Sequence, residues 1–484
     1  MSVENCESIY RLHKAVPLLI AEGGIDKALR LIHHLVEDVI TEPLCVSQIF
    51  GSKKLDDLCQ QVGAANLAKL QLRVNSNMTA RSHQSAIIYI VTKIQKSGGH
   101  TRIIGDFIRA RPNLLHIILS TELSGKSNES YWVARLSASA NVVFEKAPRG
   151  NFQQRLTWLQ KRLLSLRPQK VYLLNHHQDT VAVAALQPEM NLDACFYHHG
   201  DHHLCLGVYL SHLEHVDPHP MGYHNCRTVL GIENSYVPLT VADKGERPSD
   251  WPFLPNGIPT TCTAARSNKV EIPYFVSYLE MVPRILKCTG GRHIHIGQLT
   301  PWALREIRRG LKRQGIERTR FIYTPWVPSV WHALQEYRVD LYIASFPYGG
   351  GLTLIEAMGA GVPVALHKHI YSRILSGLDL AHPEAFSWRY PDELLNYCAS
   401  LSSPALIEAS RKGRIQYEQF YSRRSFQEAL EAPPGNRQKP DSLPENFFVE
   451  SDEWALWMER QINLRKLFFR TAYRTFRRLR ARSG

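Results

Sequence analysis

The chain has 484 residues, 44% hydrophobic and 21% charged, with a formal net charge of +14. This is ordinary globular composition, and the length is enough for about two to four domains. No apolar run approaches the ~18 residues that a membrane-spanning helix needs. The N-terminus, MSVENCESIYRLHKAV, lacks the basic-then-apolar order of a secretion signal. Nine irregularly spaced cysteines without a CxxC pair fit reduced thiols. A cytoplasmic protein is expected. The positive charge favours anionic partners such as nucleotides or anionic lipid. It is uneven, because the last 25 residues hold nine Arg or Lys, and so it does not indicate a specific nucleic-acid partner.

Residues 1–80 read as a helical region. LLIAEGGIDKALRLIHHLVEDVI and KLDDLCQQVGAANLAKLQL place apolar residues at helical spacing, with a break at Phe50-Gly51. The polar stretch 73–85 reads as a linker. From residue 86 the pattern changes to short β-branched apolar runs. AIIYIVT (86–92), LLHIILS (114–120), NVVFE (141–145), KVYLLN (170–175) and LDACFYH (192–198) are expected strands, with helices at 103–109 and 152–166. Alternation of this kind implies a parallel, doubly wound sheet. The SGGHTR loop after the first strand puts Gly98, Gly99 and Arg102 at the ligand-facing edge, although it is not a GxGxxG dinucleotide fingerprint.

Residues 237–262 are rich in proline, glycine and charge and read as a domain boundary. Beyond them RHIHIG (292–297), RFIYTP (320–325), 339–344 and 362–366 are expected strands, with a basic helix at 302–316 and a short one at VWHALQEY. The expected fold class is therefore α/β. Its organisation is a helical region (1–80), two Rossmann-like domains (81–245 and 246–432) facing a cleft, and a linker with a basic C-terminal helix (433–484). Such a cleft is the usual place for a ligand. The stretch 453–482 sets aromatics and leucines opposite arginines. That pattern suits an anionic membrane surface, or packing across the two domains.

The richest chemistry lies in 339–366, VDLYIASFPYGGGLTLIEAMGAGVPVAL, which reads as strand, glycine turn, helix, strand. Gly349, Gly350 and Gly351 at a helix start let a phosphate approach free N–H groups and the positive end of the helix dipole. Glu356 lies farther along that helix, within reach of sugar or ribose hydroxyls. A tight turn without a ligand is the plain alternative. A second concentration is histidine: ten of the 22 fall between His176 and His224. His199, Asp201 and His202 follow an expected strand end, where a histidine oriented by a carboxylate can act as general base or bond a sugar hydroxyl. The dinuclear pattern HxHxDH would place Tyr197 at its first position, and HExxH is absent. No metal is expected there, with a metal-dependent hydrolase built on His198–His203 as the rival reading.

SFPYGGGLTLIEAMGAGVPV resembles the nucleotide-sugar site of GT-B glycosyltransferases of family 4. That family carries a second glutamate eight residues before the position of Glu356, and here that residue is Tyr348. The FPYG…E spacing is also similar to family 41, which includes O-GlcNAc transferases and bacterial enzymes that modify adhesins. The segment beginning at Asn268 resembles the part that supplies their phosphate-binding lysine, matched by Lys269. The SGGHTR loop is similar to the Gly-Gly turn of family 4 N-terminal domains. The likeness extends over about residues 85–430 and implies a transferase that uses a nucleotide-diphosphate sugar, UDP-linked, without a metal or other cofactor. The implied donor site is Arg266, Lys269, Tyr323, Pro325, Trp326, Val327, the glycine turn, Leu352, Thr353 and Glu356. The acceptor would be a glycan, a lipid-linked glycan or a protein. Without a metal, Lys, Arg and backbone N–H groups must stabilise the departing diphosphate. Family 4 members retain anomeric configuration and family 41 members invert it. Tyr348 also leaves open a non-catalytic binding protein.

Overall fold

The structure is a computed structural model that describes residues 3–41, 47, 49–74, 86–95, 99–128, 141–272, 274–370, 372 and 374–440. The expected basic helix at 453–482, most of the linker at 73–85, and Gly98 lie outside these residues.

The apolar periodicity of the first segment folds as α1 (Val3–Ala21), α2 (Ile25–Ile40) and α3 (Lys53–Val74). Gly23, at φ +80°, makes the left-handed turn that separates α1 from α2. Ile25, Leu29, Ile32, Val36 and Val39 form the buried stripe of α2. These helices share one core with the first sheet: Leu58 and Val62 belong to the same buried cluster as Ile88 and Leu173. Asp56 of α3 accepts the backbone N–H groups of Gly207 and Tyr209 at 2.7 and 2.9 Å. Burial pushes its carboxyl up to about 7.

The first sheet and its helices are β1 (Ala86–Val91), α4 (Gly99–Ala110), β2 (Leu115–Ser120), β3 (Asn141–Lys146), α5 (Phe152–Leu166), β4 (Lys170–Leu174), α6 (Thr180–Ala185), β5 (Ala194–Tyr197), β6 (Glu214–Asp217), α7 (Pro220–Thr228) and β7 (Ser235–Tyr236). All pairings are parallel, in the order β3-β2-β1-β4-β5-β6-β7. The second sheet runs through β8 (Thr260–Ala264), α8 (Ser267–Val270), α9 (Tyr278–Thr289), β9 (Arg292–Ile296), α10 (Pro301–Arg313), β10 (Phe321–Thr324), α11 (Val330–Glu336), β11 (Leu341–Ile343), α12 (Gly351–Gly359), β12 (Val364–His367) and β13 (Phe386–Trp388). The helices α13 (Pro391–Ala399), α14 (Ser403–Gln416) and α15 (Arg423–Glu431) follow. This sheet too is parallel, ordered β10-β9-β8-β11-β12-β13.

Every strand expected from the sequence is present, with ends displaced by a residue or two. Strands β6, β7, β8 and β13 were not anticipated. β8 is central in its sheet yet reads Thr-Thr-Cys-Thr-Ala and begins inside the stretch taken as a boundary. Its polar side chains are satisfied internally. Thr263 donates to the Ile343 carbonyl at 2.9 Å, and Thr261 hydrogen-bonds His293 at 2.8 Å.

Although α15 follows the second sheet in sequence, it packs on the first. Phe426 meets Phe107 of α4 edge-on with ring centroids 5.3 Å apart, and Arg111 donates to the Leu430 carbonyl at 3.1 Å. Just beyond, Arg437 pairs with Glu214 of β6. Among the described residues, no helix is long and apolar enough to cross a membrane.

Candidate functional site

In a parallel sheet the loops at the carboxyl ends of the strands gather on one edge, and two such edges face each other here. From the first sheet, β1 leads into α4. From the second, β11 leads through a cis Phe346-Pro347 peptide and the glycine turn into α12. The two helix starts touch. Leu352 Cδ1 lies 3.5 Å from where a Cβ on Gly99 would be, and Arg102 donates to Glu356 Oε1 at 2.7 Å. Four residues singled out in the sequence, Gly99, Arg102, Leu352 and Glu356, thus meet between the halves. Glu356 is buried, so its charge is answered from the opposite domain.

The glycines of the turn are required by close approach. A Cβ on Gly349 would sit 2.8 Å from the Leu375 carbonyl, and one on Gly350 2.6 Å from Thr353 Oγ1. Thr353 is held in place, donating to the Gly350 carbonyl at 3.1 Å and accepting from Tyr342 at 3.0 Å. Lys269, on the one-turn α8, donates to the Gly349 carbonyl at 2.5 Å. Its Nζ is 3.5 Å from the Cβ position of Gly350. Burial, with Arg266 adding repulsion, pushes the Lys269 ammonium down to about 8. Tyr348, the residue standing where family 4 has glutamate, donates its backbone N–H to the Lys269 carbonyl at 3.3 Å. Its ring packs against the core of the second domain, so here the position ties the turn to the lysine segment.

From the first domain, His219 faces this turn. It is the N-cap of α7, and its Nε2 is 3.5 Å from where a Cβ on Gly351 would be. Its Nδ1 bonds Asp201 Oδ2 at 2.6 Å, while His202 Nδ1 lies farther off, 3.7 Å from Asp201 Oδ1. Burial opposes charge on both members, but their pairing prevails. His219 is lifted to about 9 and Asp201 is held well below the usual carboxylate range. Beside them, burial raises the Asp379 carboxyl to about 6 while it accepts the Met221 N–H at 2.9 Å.

No family model and no curated protein matches the sequence. Among solved structures, HepE from Anabaena in complex with UDP aligns with a TM-score of 0.53 at 10% identity, covering 71% of this chain and 98% of that one. HepE in complex with UDP-glucose aligns at 0.50 and 11%, covering 71% and 97%. An O-GlcNAc transferase from Thermobaculum terrenum aligns at 0.47 and 14%, over 87% and 82%.

The fold is GT-B.

The remaining sequence candidates can be placed in that GT-B frame. Tyr323 lies near the end of β10, and Pro325, Trp326 and Val327 follow it on the same carboxyl edge as the glycine turn. Tyr323 stacks on His295 with centroids 6.1 Å apart and accepts the Leu299 N–H at 3.2 Å. Trp326 is 56% exposed, so it is not part of the core. The histidine-rich loop does not act as one cluster. His198 turns inward to Asp217 at 3.0 Å, His203 packs against His177, and His199 packs near His176. Asp201 makes its close contact with His219 instead. His219 was missed because its partner is chosen by the fold: Asp201 follows β5, and His219 follows β6, a strand the sequence did not reveal. The signal that could have found it is HVDPHP, a histidine just before a Pro-initiated helix.

Proposed function

We propose that this protein is a glycosyltransferase that moves a sugar from a UDP-type nucleotide-diphosphate donor to an acceptor. The observation that carries the reading is the convergence of Lys269 and His219 on the glycine turn at the start of α12, one from each half of the GT-B frame. That HepE was solved with UDP and with UDP-glucose supports the donor class.

In such a transfer the bond between the anomeric carbon and the diphosphate breaks, and negative charge collects on the leaving group. The α12 N-terminus offers free N–H groups and the positive end of its dipole to that charge. Lys269, already at the turn, adds a cation in a site sheltered from water, where such interactions count for more. A carboxylate only accepts, so Asp201 fixes the Nδ1 proton of His219. This leaves Nε2 presented to whatever occupies the turn. Glu356 would exchange its bond to Arg102 for donor hydroxyls, or share it with them. Trp326 and Tyr323, farther along the edge, would border the base.

The test is calorimetric titration of the full-length protein with UDP, followed by UDP-sugar hydrolysis in the absence of acceptor. UDP binding by the native chain that disappears in Lys269→Ala is the expected result. An unchanged affinity in that variant would remove the site assignment. The hydrolase reading has less behind it, because His198 and His203 turn to Asp217 and His177, and Asp201 makes its close contact with His219.

A further inference from the structure

Beneath the cleft, the loop after β5, strand β6 and helix α7 bury four ligand-type side chains together. His198, His215, Asp217 and Cys226 are 1%, 6%, 0% and 0% exposed. One donor atom from each lies within 4.8 Å of the others. His198 Nδ1 is 3.0 Å from Asp217 Oδ1, and Cys226 Sγ is 3.5 Å from both.

His215 decides what the cluster lacks. Its Nδ1 lies 3.3 Å from the Val208 carbonyl, which can only accept, so that nitrogen carries a proton. The other nitrogen, Nε2, lies 3.3 Å from Asp217 Oδ2 but makes no hydrogen bond. In the neutral imidazole this sets a lone pair toward a fully buried carboxylate. Such a pairing is costly in a site closed to water unless a positive charge, a second ring proton or a metal ion, stands between the two groups.

We propose that His198, His215, Asp217 and Cys226 form a structural site for a zinc-type divalent metal ion. Two imidazoles, a thiolate and a carboxylate are a tetrahedral zinc donor set, and a site with every ligand buried has the closed character of a structural centre. Ligand atoms at zinc bond lengths stand about 3.3–3.8 Å apart in a tetrahedron; the contacts of Asp217 and Cys226 here span 3.0–3.5 Å, and all four donor atoms lie within 4.8 Å of one another. The outer partners suit the same arrangement. The Val208 carbonyl orients His215, and Asn234 donates to Asp217 Oδ2 at 2.6 Å.

The location gives the ion a task. Asp217 ends β6 two residues before His219, and Cys226 lies on α7, the helix that His219 caps. Joining them would fix the β6–α7 connection that presents His219 to the glycine turn. The inference does not depend on the donor-sugar reading, since the metal would bind whether or not the cleft takes a nucleotide.

The experiment is metal analysis of full-length protein purified without chelator, with zinc added and excess removed. One zinc per chain is expected in the native protein and in His199→Ala, with loss in Asp217→Asn and Cys226→Ser. Because Asp217→Asn could fail to fold, cobalt is the second probe. Native protein loaded with cobalt should show a thiolate charge-transfer band in the near ultraviolet, and Cys226→Ser should lack it. Equal zinc in every variant, or a native chain that takes up neither metal and melts at the same temperature with and without added zinc, would overturn the site.

Discussion

Lys269 is bonded to the Gly349 carbonyl in the free protein, and its low pKa makes the proposed donor site sensitive to pH. Facing it are Arg266, the N-cap of its helix, and the Gly349 carbonyl. With the ammonium titrating at about 8, UDP affinity should be level below that pH. It should weaken as pH rises through 8, by no more than about tenfold per unit for one proton. Titration calorimetry across pH checks this, and Lys269→Met should remove the step near 8 and leave the weakening that His219 brings near 9. For folding the sign is opposite. The unfolded lysine keeps its proton up to 10.5, so this group's contribution to stability rises between about pH 8 and 10.5. The Asp201 contacts give a second expectation. His219→Ala should slow UDP-sugar hydrolysis by about a hundredfold or more, and His202→Ala much less, since only His219 bonds the carboxylate closely. Steady-state rates of the two variants decide it. Lys269 and Glu356 could be singled out in the sequence because a motif and a helix start mark their positions beside the glycine turn. His219 was not, because two residues 18 apart in the chain become partners only once β5 and β6 lie side by side.

Helix α3 shows why whole elements can be legible while their placement is not. Its apolar period announced a helix, but nothing in the period indicated that Gly63 would pass against α6. A Cβ there would stand 2.0 Å from the Ala184 carbonyl and 2.3 Å from Gln187 Nε2. Gly63→Ala should therefore cost about 1–3 kcal/mol, seen as a lower melting temperature. Gly435→Ala, with nothing within 4 Å of the new atom, should leave melting unchanged. The sheets divide along the same line. β1, β2 and β4 are continuous apolar runs, and the alternation with helices made the parallel α/β class readable. β8 escaped because its threonines find hydrogen-bond partners inside the sheet, so a central strand carries a polar sequence. β6 and β7 escaped because Glu-His-Val-Asp and Ser-Tyr are too short and too polar to announce burial.

Across the whole molecule, the direct link between the facing helix starts is Arg102 with Glu356 at 2.7 Å. Arg102→Ala would leave the glutamate buried without its cation. The cost should be about 1–3 kcal/mol, below that of a fully buried pair because Arg102 keeps contact with water. The same variant should show a larger radius of gyration in small-angle scattering of the ligand-free protein, and an unchanged profile would mean that this pair does not hold the halves together. What the halves could do once released is set by the return of the chain. The polypeptide passes between them twice, near 240 and again near 421, and the two passages are bonded to each other. Thr240 donates to the Tyr421 carbonyl at 2.9 Å, Val241 N–H reaches the same carbonyl at 3.1 Å, and Tyr417 donates to the Val241 carbonyl at 2.8 Å. Two passages bonded to each other restrict the relative motion of the halves more than a single flexible strand would, with least movement near these bonds. Opening would then pivot near these bonds and carry His219 away from Lys269 and the glycine turn.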